Sequence, residues 1–248
     1  MNRLAAACVL LLMFASPSSA LDIGVCGVSV PPGERGTLVS DLSCFNGLGV
    51  RLGPTASLDM NGHEINGAGT GVLCEHRSCA ILGPGRITGT SSCGVQPQNG
   101  SGPIRIYLSG IDIDNTACPV AGSRAKDISL RLQDVNVTDN ATGLSAGRIK
   151  AVNLTATGNG VAGLDGRRYV RLIDSTITAN DGIGVIARTG VTLRNTTVSG
   201  NDPVNGFDVA SHLKPHLHDA TCDHSVVIPD PFALPDAGSP TWGVCSGD

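Results

Sequence analysis

The chain has few aromatic and few charged residues. Aromatic residues make up 3 % and charged residues 15 % of its 248 residues, and the net charge is −4. Large aromatic side chains usually dominate a conventional globular core, so their scarcity argues against such a core. The lack of a basic excess argues against a nucleic-acid partner. After residue 20, no apolar run approaches the ~18 residues that a membrane-spanning helix needs, so we expect no transmembrane segment.

The most prominent feature of the chain is a repeat. Four short phrases end in asparagine at intervals of 19, 21 and 21 residues: 137–140 (VTDN), 156–159 (ATGN), 177–180 (ITAN) and 198–201 (VSGN). A period of about 20 residues, with β-branched runs broken by Gly and Asn, is typical of a solenoid. Stacked side-chain amides can bond along the axis of such a fold. We therefore expect a structural ladder formed by Asn140, Asn159, Asn180 and Asn201.

The runs between these asparagines alternate apolar and polar residues with the period of a β-strand. They leave no room for a helix of ~10 residues between the strands of one coil. Parallel crossovers are strongly biased to the right hand. The sequence thus predicts an all-β protein, a single-stranded right-handed parallel β-helix of about seven coils with N- and C-terminal caps.

The chain divides into four segments on this interpretation. Residues 1–20 have a basic start, an apolar stretch and a small-residue cleavage site, which together are typical of a signal peptide. Residues 21–50 lack the repeat and are assigned to an N-terminal cap, residues 51–211 to the β-helix, and residues 212–248 to a C-terminal cap. We therefore expect a protein that is exported to the periplasm, the cell surface or the medium.

Eight of the nine cysteines follow the predicted signal peptide. An even number of cysteines in an exported protein favours disulfides over metal thiolates. Cys93 and Cys118 follow similar turns about one coil apart, so we expect them to pair on adjacent coils. The remaining pairs are then local: Cys26 with Cys44, Cys74 with Cys79, and Cys222 with Cys245.

Two motifs carry a resemblance to a known superfamily. Residues 58–67 (LDMNGHEING) and 83–89 (GPGRITG) resemble the opening of secreted right-handed parallel β-helix repeat proteins, the pectate-lyase-like superfamily in the broad sense. The segment from Cys26 to Cys44 and the tail at 241–245 (TWGVC) resemble the caps of a bacterial group within it. The resemblance implies the fold, but the superfamily includes lyases, hydrolases, epimerases and adhesins.

Three basic residues are the best candidates for a binding site. Arg131, Lys150 and Arg171 each lie at the position nine residues before a ladder asparagine, so they should line up on consecutive coils about 4.8 Å apart. Such a line could bind an acidic polysaccharide. In the superfamily that the chain resembles, an Arg or Lys on such a face acts as a base or neutralises charge. The alternative is a solvated face whose charge is relieved by Asp127, Asp134 or Asp174.

Other polar groups are weaker candidates. Asp134, Asn153, Asp174 and Asn195 form a second axial series, whose alternation favours a hydrogen-bonded stack of turns over a carboxylate pair. Calcium is possible if the protein is lyase-like, but no face gathers the several carboxylates that calcium needs. His216 and His218 would share one face of an extended segment, yet their spacing matches no strong metal motif. We therefore assign no metal site and keep these two histidines as candidates.

Two functional hypotheses remain open. In the first, an exported β-helix protein binds or processes an extracellular, acidic polysaccharide, with lyase-like chemistry if it is an enzyme. In the second, it is a non-catalytic structural or adhesive module of the cell surface, because its short coils leave little chain for the loops that wall a substrate cleft. The sequence does not decide between an enzyme and a binding protein, and it does not indicate an oligomeric state.

Overall fold

The computed structural model describes residues 20–75, 78–98, 103–120, 127–228 and 239–248. Within these ranges the chain contains no α-helix, and all paired strands run parallel. The strands stack as a parallel β-solenoid of about eight turns, which confirms the predicted fold class against an expectation of about seven. The right-handed sense and the boundaries of the caps stay predictions, and residues 1–19 of the predicted signal peptide lie outside the described residues.

The strands are β1 (Leu21–Ile23), β2 (Val28–Val30), β3 (Arg35–Leu38), β4 (Leu42–Ser43), β5 (Leu48–Leu52), β6 (Ser57–Asp59), β7 (Glu64–Asn66), β8 (Thr70–Cys74), β9 (Ser78–Thr88), β10 (Cys93–Pro97), β11 (Ile104–Asp114), β12 (Cys118–Val120), β13 (Ile128–Thr138), β14 (Leu144–Thr157), β15 (Leu164–Ile173), β16 (Thr176–Thr178), β17 (Val185–Ala187), β18 (Gly190–Arg194), β19 (Thr197–Ser199), β20 (Val209–Ser211), β21 (His216–His218), β22 (Thr221–Cys222) and β23 (Ser225–Val227). The described residues include no helix that is long and apolar enough to cross a membrane.

Stacked segments form three faces, which we call A, B and C. In the coil that begins at Ile128, the segment through Arg131 belongs to face A, the segment through Val137 to face B, and the segment through Leu144 to face C. A positive φ of 54° at Asp134 marks the bend from face A to face B inside β13. Parallel stacking starts with β1 on β3 and continues to β20 on β23, so it extends into both of the segments that were assigned to caps.

The core consists of aliphatic columns. On face A, five inward side chains pair in register on successive coils, and each is at most 1 % exposed: Ile106, Leu130, Ile149, Val170 and Val191. Branched aliphatic side chains pack well on a pleated surface. A narrow interior filled in this way needs no large aromatic residues, which accounts for the composition.

The buried asparagine ladder runs along the axis as the sequence predicted. The Nδ2 atoms of Asn140, Asn159 and Asn180 each donate to the Oδ1 atom of the next ladder asparagine, at 3.0, 2.9 and 2.8 Å. Each Nδ2 also donates to a backbone carbonyl, for example that of Ala156 in the case of Asn180. Each accepting Oδ1 takes a backbone N–H as well. The ladder therefore satisfies polar groups that are at most 2 % exposed.

At both ends of this ladder, a residue other than asparagine makes the last side-chain contact. At its start, the backbone N–H and hydroxyl of Thr116 donate to the Oδ1 atom of Asn140. At its end, Asn201 donates through Nδ2 to the Oδ1 atom of Asp208 at 2.8 Å. A glycine lies three or four residues after Asn140, Asn159 and Asn180 because the coils approach closely there. A Cβ atom on Gly184 would lie 2.6 Å from the Nδ2 atom of Asn201, for example.

The second axial series is a stack of turns, not a carboxylate pair. Asp134, Asn153, Asp174 and Asn195 all have positive φ, between 46° and 55°. Asn153 donates to Asp134 at 2.7 Å, and Asn195 donates to Asp174 at 3.0 Å. Each carboxylate is thus bonded to the amide on the next coil.

Four disulfides fix the chain in the pairing that the sequence predicted. They join Cys26 to Cys44, Cys74 to Cys79, Cys93 to Cys118, and Cys222 to Cys245. Cys93 and Cys118 are register partners on the adjacent strands β10 and β12. This pair therefore links two neighbouring coils directly.

Asn180→Ala tests the ladder. The substitution removes the acceptor for both the backbone N–H and the Nδ2 of Asn159, and the donor for the carbonyl of Ala156. Each unsatisfied buried group costs about 1–3 kcal/mol, so we expect a loss of about 3 kcal/mol or more. At about 2–4 °C per kcal/mol for a chain of this size, the melting temperature should fall by about 6 °C or more in a thermal scan.

Asn136→Ala is the matched control for this scan. Asn136 is exposed and donates to Asp112 on the protein surface, so its removal should change stability by about 0.5 kcal/mol. Equal shifts in the two variants would show that the buried ladder does not hold the coils together.

Candidate functional site

The three basic residues selected from the sequence lie side by side on face A. Arg131 pairs in register with Lys150, and Lys150 with Arg171. All three are exposed, and adjacent strands are about 4.8 Å apart. The same column continues to Tyr107 on one side and to Thr192 and then His216 on the other.

Further cations lie two residues away on the same strands. Arg105, Ser129, Arg148 and Tyr169 form the column before the first one, and Gln133, Val152, Ile173 and Arg194 form the column after it. We call the outward positions of face A from β11 to β18 the basic face. Its fifteen positions are Arg105, Tyr107, Ser109, Ser129, Arg131, Gln133, Arg148, Lys150, Val152, Tyr169, Arg171, Ile173, Gly190, Thr192 and Arg194.

Sequence reasoning missed Arg105, Arg148 and Arg194. The signal that could have found them is the period-two alternation itself, because each lies an even number of residues from a position aligned with Lys150. Six of the fifteen positions are therefore cations and none is a carboxylate. This concentration occurs in a protein whose net charge is −4.

The cations of the basic face have no ion-pair partner among the residues that the structure describes. Several cations elsewhere do: Arg35 pairs with Asp59, Arg51 with Glu75 at 2.7 Å, and Arg86 with Asp114 at 2.6 Å. Asp134 and Asp174 make no ion pair with these cations in the described structure, and their carboxylates accept hydrogen bonds from Asn153 and Asn195 of the turn stack. Asp127 makes no ion pair with the basic face either.

Both tyrosines of the chain lie on this face. The hydroxyl of Tyr107 donates to the Oε1 atom of Gln133 at 3.3 Å, and the hydroxyl of Tyr169 donates to the Oγ1 atom of Thr192 at 2.8 Å. Each hydroxyl reaches a residue on the next coil, so each ring leans across the gap between two strands. Both rings remain partly exposed, which makes them amphipathic surfaces suited to a sugar ring.

A shallow pocket lies at the Arg105 end of the basic face. Its volume is ≈ 280 Å³, and it is lined by Thr55, Ala56, Ser78, Cys79, Ala80, Arg105, Ile106, Tyr107 and Arg131. The small residues come from β9 and from the turn before β6, whereas the large ones come from β11 and β13. The pocket therefore marks a step in the height of the side chains along face A.

Asp165 is a buried carboxylate close in sequence to this face. It lies on face C of β15, four residues before Tyr169, and its Oδ2 atom pairs with Nε of Arg167 at 3.1 Å. Burial raises the pKa of Asp165, while the charges of Arg167 and Arg188 oppose that rise. Its Oδ1 atom is buried without a hydrogen-bond partner in the described structure. No pattern in the sequence singles out this residue.

The structure places His216 and His218 on β21, both exposed. His218 pairs through Nδ1 with Asp219 at 2.7 Å. In the ranges that the structure describes, no group of three or more His, Cys, Asp or Glu residues is arranged to hold a metal ion.

Face B contrasts with the basic face because it carries hydroxyl groups. Its outward positions on three consecutive coils are Thr155, Thr157, Thr176, Thr178, Thr197 and Ser199. Neighbouring hydroxyls bond to one another, as Thr178 does to Thr157 at 3.5 Å. On these three coils the outward positions of face B are uncharged and lie between the basic face and the buried asparagine ladder.

No protein-family model, curated protein or solved structure matches the chain. The parallel β-solenoid is a finding of the structure itself. Membership of the pectate-lyase-like superfamily stays a prediction from the sequence motifs.

The raised pKa of Asp165 predicts a pH dependence of stability. The folded protein holds the proton of Asp165 more tightly than the unfolded chain does, so the contribution of this group is greatest below its unfolded pKa and is lost as the pH rises through its folded pKa. Asp165→Asn cannot titrate. The unfolding free energy of the wild type minus that of Asp165→Asn should therefore fall as the pH rises from below the ordinary Asp pKa of about 3.9 through the higher pKa of the folded state, as measured by denaturant titration.

Arg167→Gln sharpens this experiment. It removes a charge that opposes the effect of burial, so the same loss of stability should move to higher pH. A difference that stays flat with pH, or a shift to lower pH in Arg167→Gln, would contradict the assignment.

Proposed function

We propose that the protein is exported and binds an acidic polysaccharide along the basic face. One observation carries the proposal: six exposed cations lie in three adjacent columns over five coils, with no carboxylate among the outward positions and no ion-pair partner in the described structure. Like charges on adjacent strands repel each other. A bound polyanion would relieve that repulsion.

A polysaccharide suits the repeat of this surface. A sugar ring is comparable in length to the spacing between coils, so a polymer with one acidic group per ring can present anions in step with the strands. Arginine binds carboxylate and sulfate groups through two parallel hydrogen bonds, and five of the six cations are arginines. The two tyrosine rings add surfaces on which sugar rings can pack.

Export is supported by the disulfides. Four disulfides form in the described part of the chain, and such bonds persist in oxidising compartments outside the cytosol. The predicted signal peptide at residues 1–20 agrees with the same location. Polysaccharides of the cell envelope or of the surroundings would be accessible there.

Binding is the part of this function that the geometry supports best. The basic face is a row of exposed side chains on regular strands, and its one described pocket lies at the Arg105 end and not beside Lys150. A lyase-like reaction would use the same residues: one cation would neutralise a uronate, another residue in its uncharged form would take the proton next to the carboxylate, and the glycosidic bond on the neighbouring carbon would break as the double bond forms. If it occurs, it will produce an unsaturated uronate that absorbs ultraviolet light.

Lys150→Gln/Arg171→Gln tests the binding surface. The double variant removes two adjacent charges from the centre of the face. A hydrogen bond to a charged group contributes about 1.5–3 kcal/mol, and tenfold in Kd corresponds to about 1.4 kcal/mol. After allowance for exposure to solvent, we expect at least about tenfold weaker binding to polygalacturonate, alginate or hyaluronan, measured by calorimetry at low salt.

Arg35→Gln/Arg51→Gln is the matched control. It changes the net charge by the same amount at two cations that are paired to Asp59 and Glu75 off the basic face. Affinity should stay near that of the wild type, and wild-type binding should weaken with salt because the contacts are exposed charges. Equal losses in both variants, or equal binding of neutral dextran, would overturn the proposed function.

A further inference from the structure

We infer that the pocket at the Arg105 end of the basic face binds a single carboxylated sugar residue at the end of the polysaccharide chain. The inference rests on the proposed function and gives the binding surface a defined end. It is based on the shape of the pocket, on the charges in it, and on the charges that lie beyond it.

The shape follows from the residues in register. Ser78 pairs with Arg105, and Ala80 pairs with Tyr107. Ser57 pairs with Ala80 on the next coil towards the N-terminus. Short side chains on β6 and β9 therefore adjoin long ones on β11. The floor of the pocket is low, and Arg105 and Tyr107 stand beside it as a wall.

The size fits one ring. Pockets for drug-sized molecules have volumes of about 300–1,000 Å³, and this one measures ≈ 280 Å³. It is thus too small for an oligosaccharide but adequate for one sugar. Tyr107 is fixed by its hydrogen bond to Gln133, so its ring can contact the apolar face of that sugar without losing further freedom.

The two positive charges in the pocket favour an anionic ligand. Arg105 and Arg131 both line the pocket, and they occupy diagonal positions on adjacent strands, about 7–8 Å apart at the backbone. Their long side chains can converge on one carboxylate and bind it through their guanidinium groups. Neither side chain has an ion-pair partner in the described structure.

The residues beyond the pocket favour binding of the end of a polysaccharide over binding of its interior. Farther towards the N-terminus, face A carries two carboxylates, Asp22 and Asp59, whose positions are aligned through Thr37. The one cation there, Arg35, is already paired with Asp59. A polyanion that continued past the pocket would meet negative charge. The favourable path therefore starts at the pocket and runs towards Arg194.

The test uses polymer fractions of different average length, prepared from the polysaccharide that binds. If the chain end is recognised, half-saturation will occur at the same molar concentration of chain ends for every fraction. If the interior of the polymer is recognised, half-saturation will follow the mass concentration of sugar. The second result would overturn the inference and leave the proposed function intact.

Variants locate the effect. Arg105→Gln should weaken binding of the free monosaccharide galacturonate at least tenfold. In the polymer titrations of this variant, half-saturation should follow the mass concentration of sugar and no longer the molar concentration of chain ends. Arg194→Gln, at the other end of the face, should weaken polymer binding but leave galacturonate binding unchanged. Arg51→Gln should alter neither.

Galacturonate is measured separately by NMR titration, so its result does not depend on the polymer. The inference would be overturned if Arg105→Gln bound galacturonate as tightly as the wild type does. It would also be overturned if the wild type did not bind galacturonate. If every variant of the basic face bound the polymer as tightly as the wild type does, that result would instead count against the proposed function.

Discussion

The buried amide ladder is the constraint on which the other features of this solenoid depend. Each ladder asparagine joins its own coil to the next through its side chain and also accepts a backbone N–H. A shift of one residue between coils would leave these groups unpaired in a dry interior, and it would also turn every side chain to the opposite side of its strand. The ladder thus holds each coil in one register with its neighbours.

A fixed register converts a periodic sequence into continuous surfaces. Residues that recur at the same place in each repeat become neighbours about 4.8 Å apart, so a preference for Arg or Lys at one place produces the basic face. A preference for Thr at another place produces the row of hydroxyl groups on face B. The carboxylates of Asp134 and Asp174 are held in the turns between these faces, where asparagines bind them. Opposite charges are thereby kept apart although the protein as a whole is acidic.

The fold and the centre of the site could be predicted from the sequence because the repeat is regular there. Counting back from the asparagines aligns Arg131, Lys150 and Arg171 only where coils have similar lengths. That count does not reach Arg105 and Tyr107, because their coil has Thr116 at the place of the ladder asparagine. The pairing of β9 with β11 also shifts register between Ser109 and Ile111. The pocket lies mainly on coils that precede the first ladder asparagine, so counting back from the asparagines could not have located it.

The basic face costs the folded protein some repulsion, and its geometry explains why that cost is tolerable. All six cations are exposed, so their long side chains can spread apart into water, whose high dielectric constant weakens the repulsion between them. The disulfides and the buried ladder hold the strands in place, which means that the cations are already arranged before a ligand arrives. Binding then needs little further ordering of the backbone. A flexible chain with the same six charges would spread them apart, and it would have to lose that freedom to gather them on one polyanion.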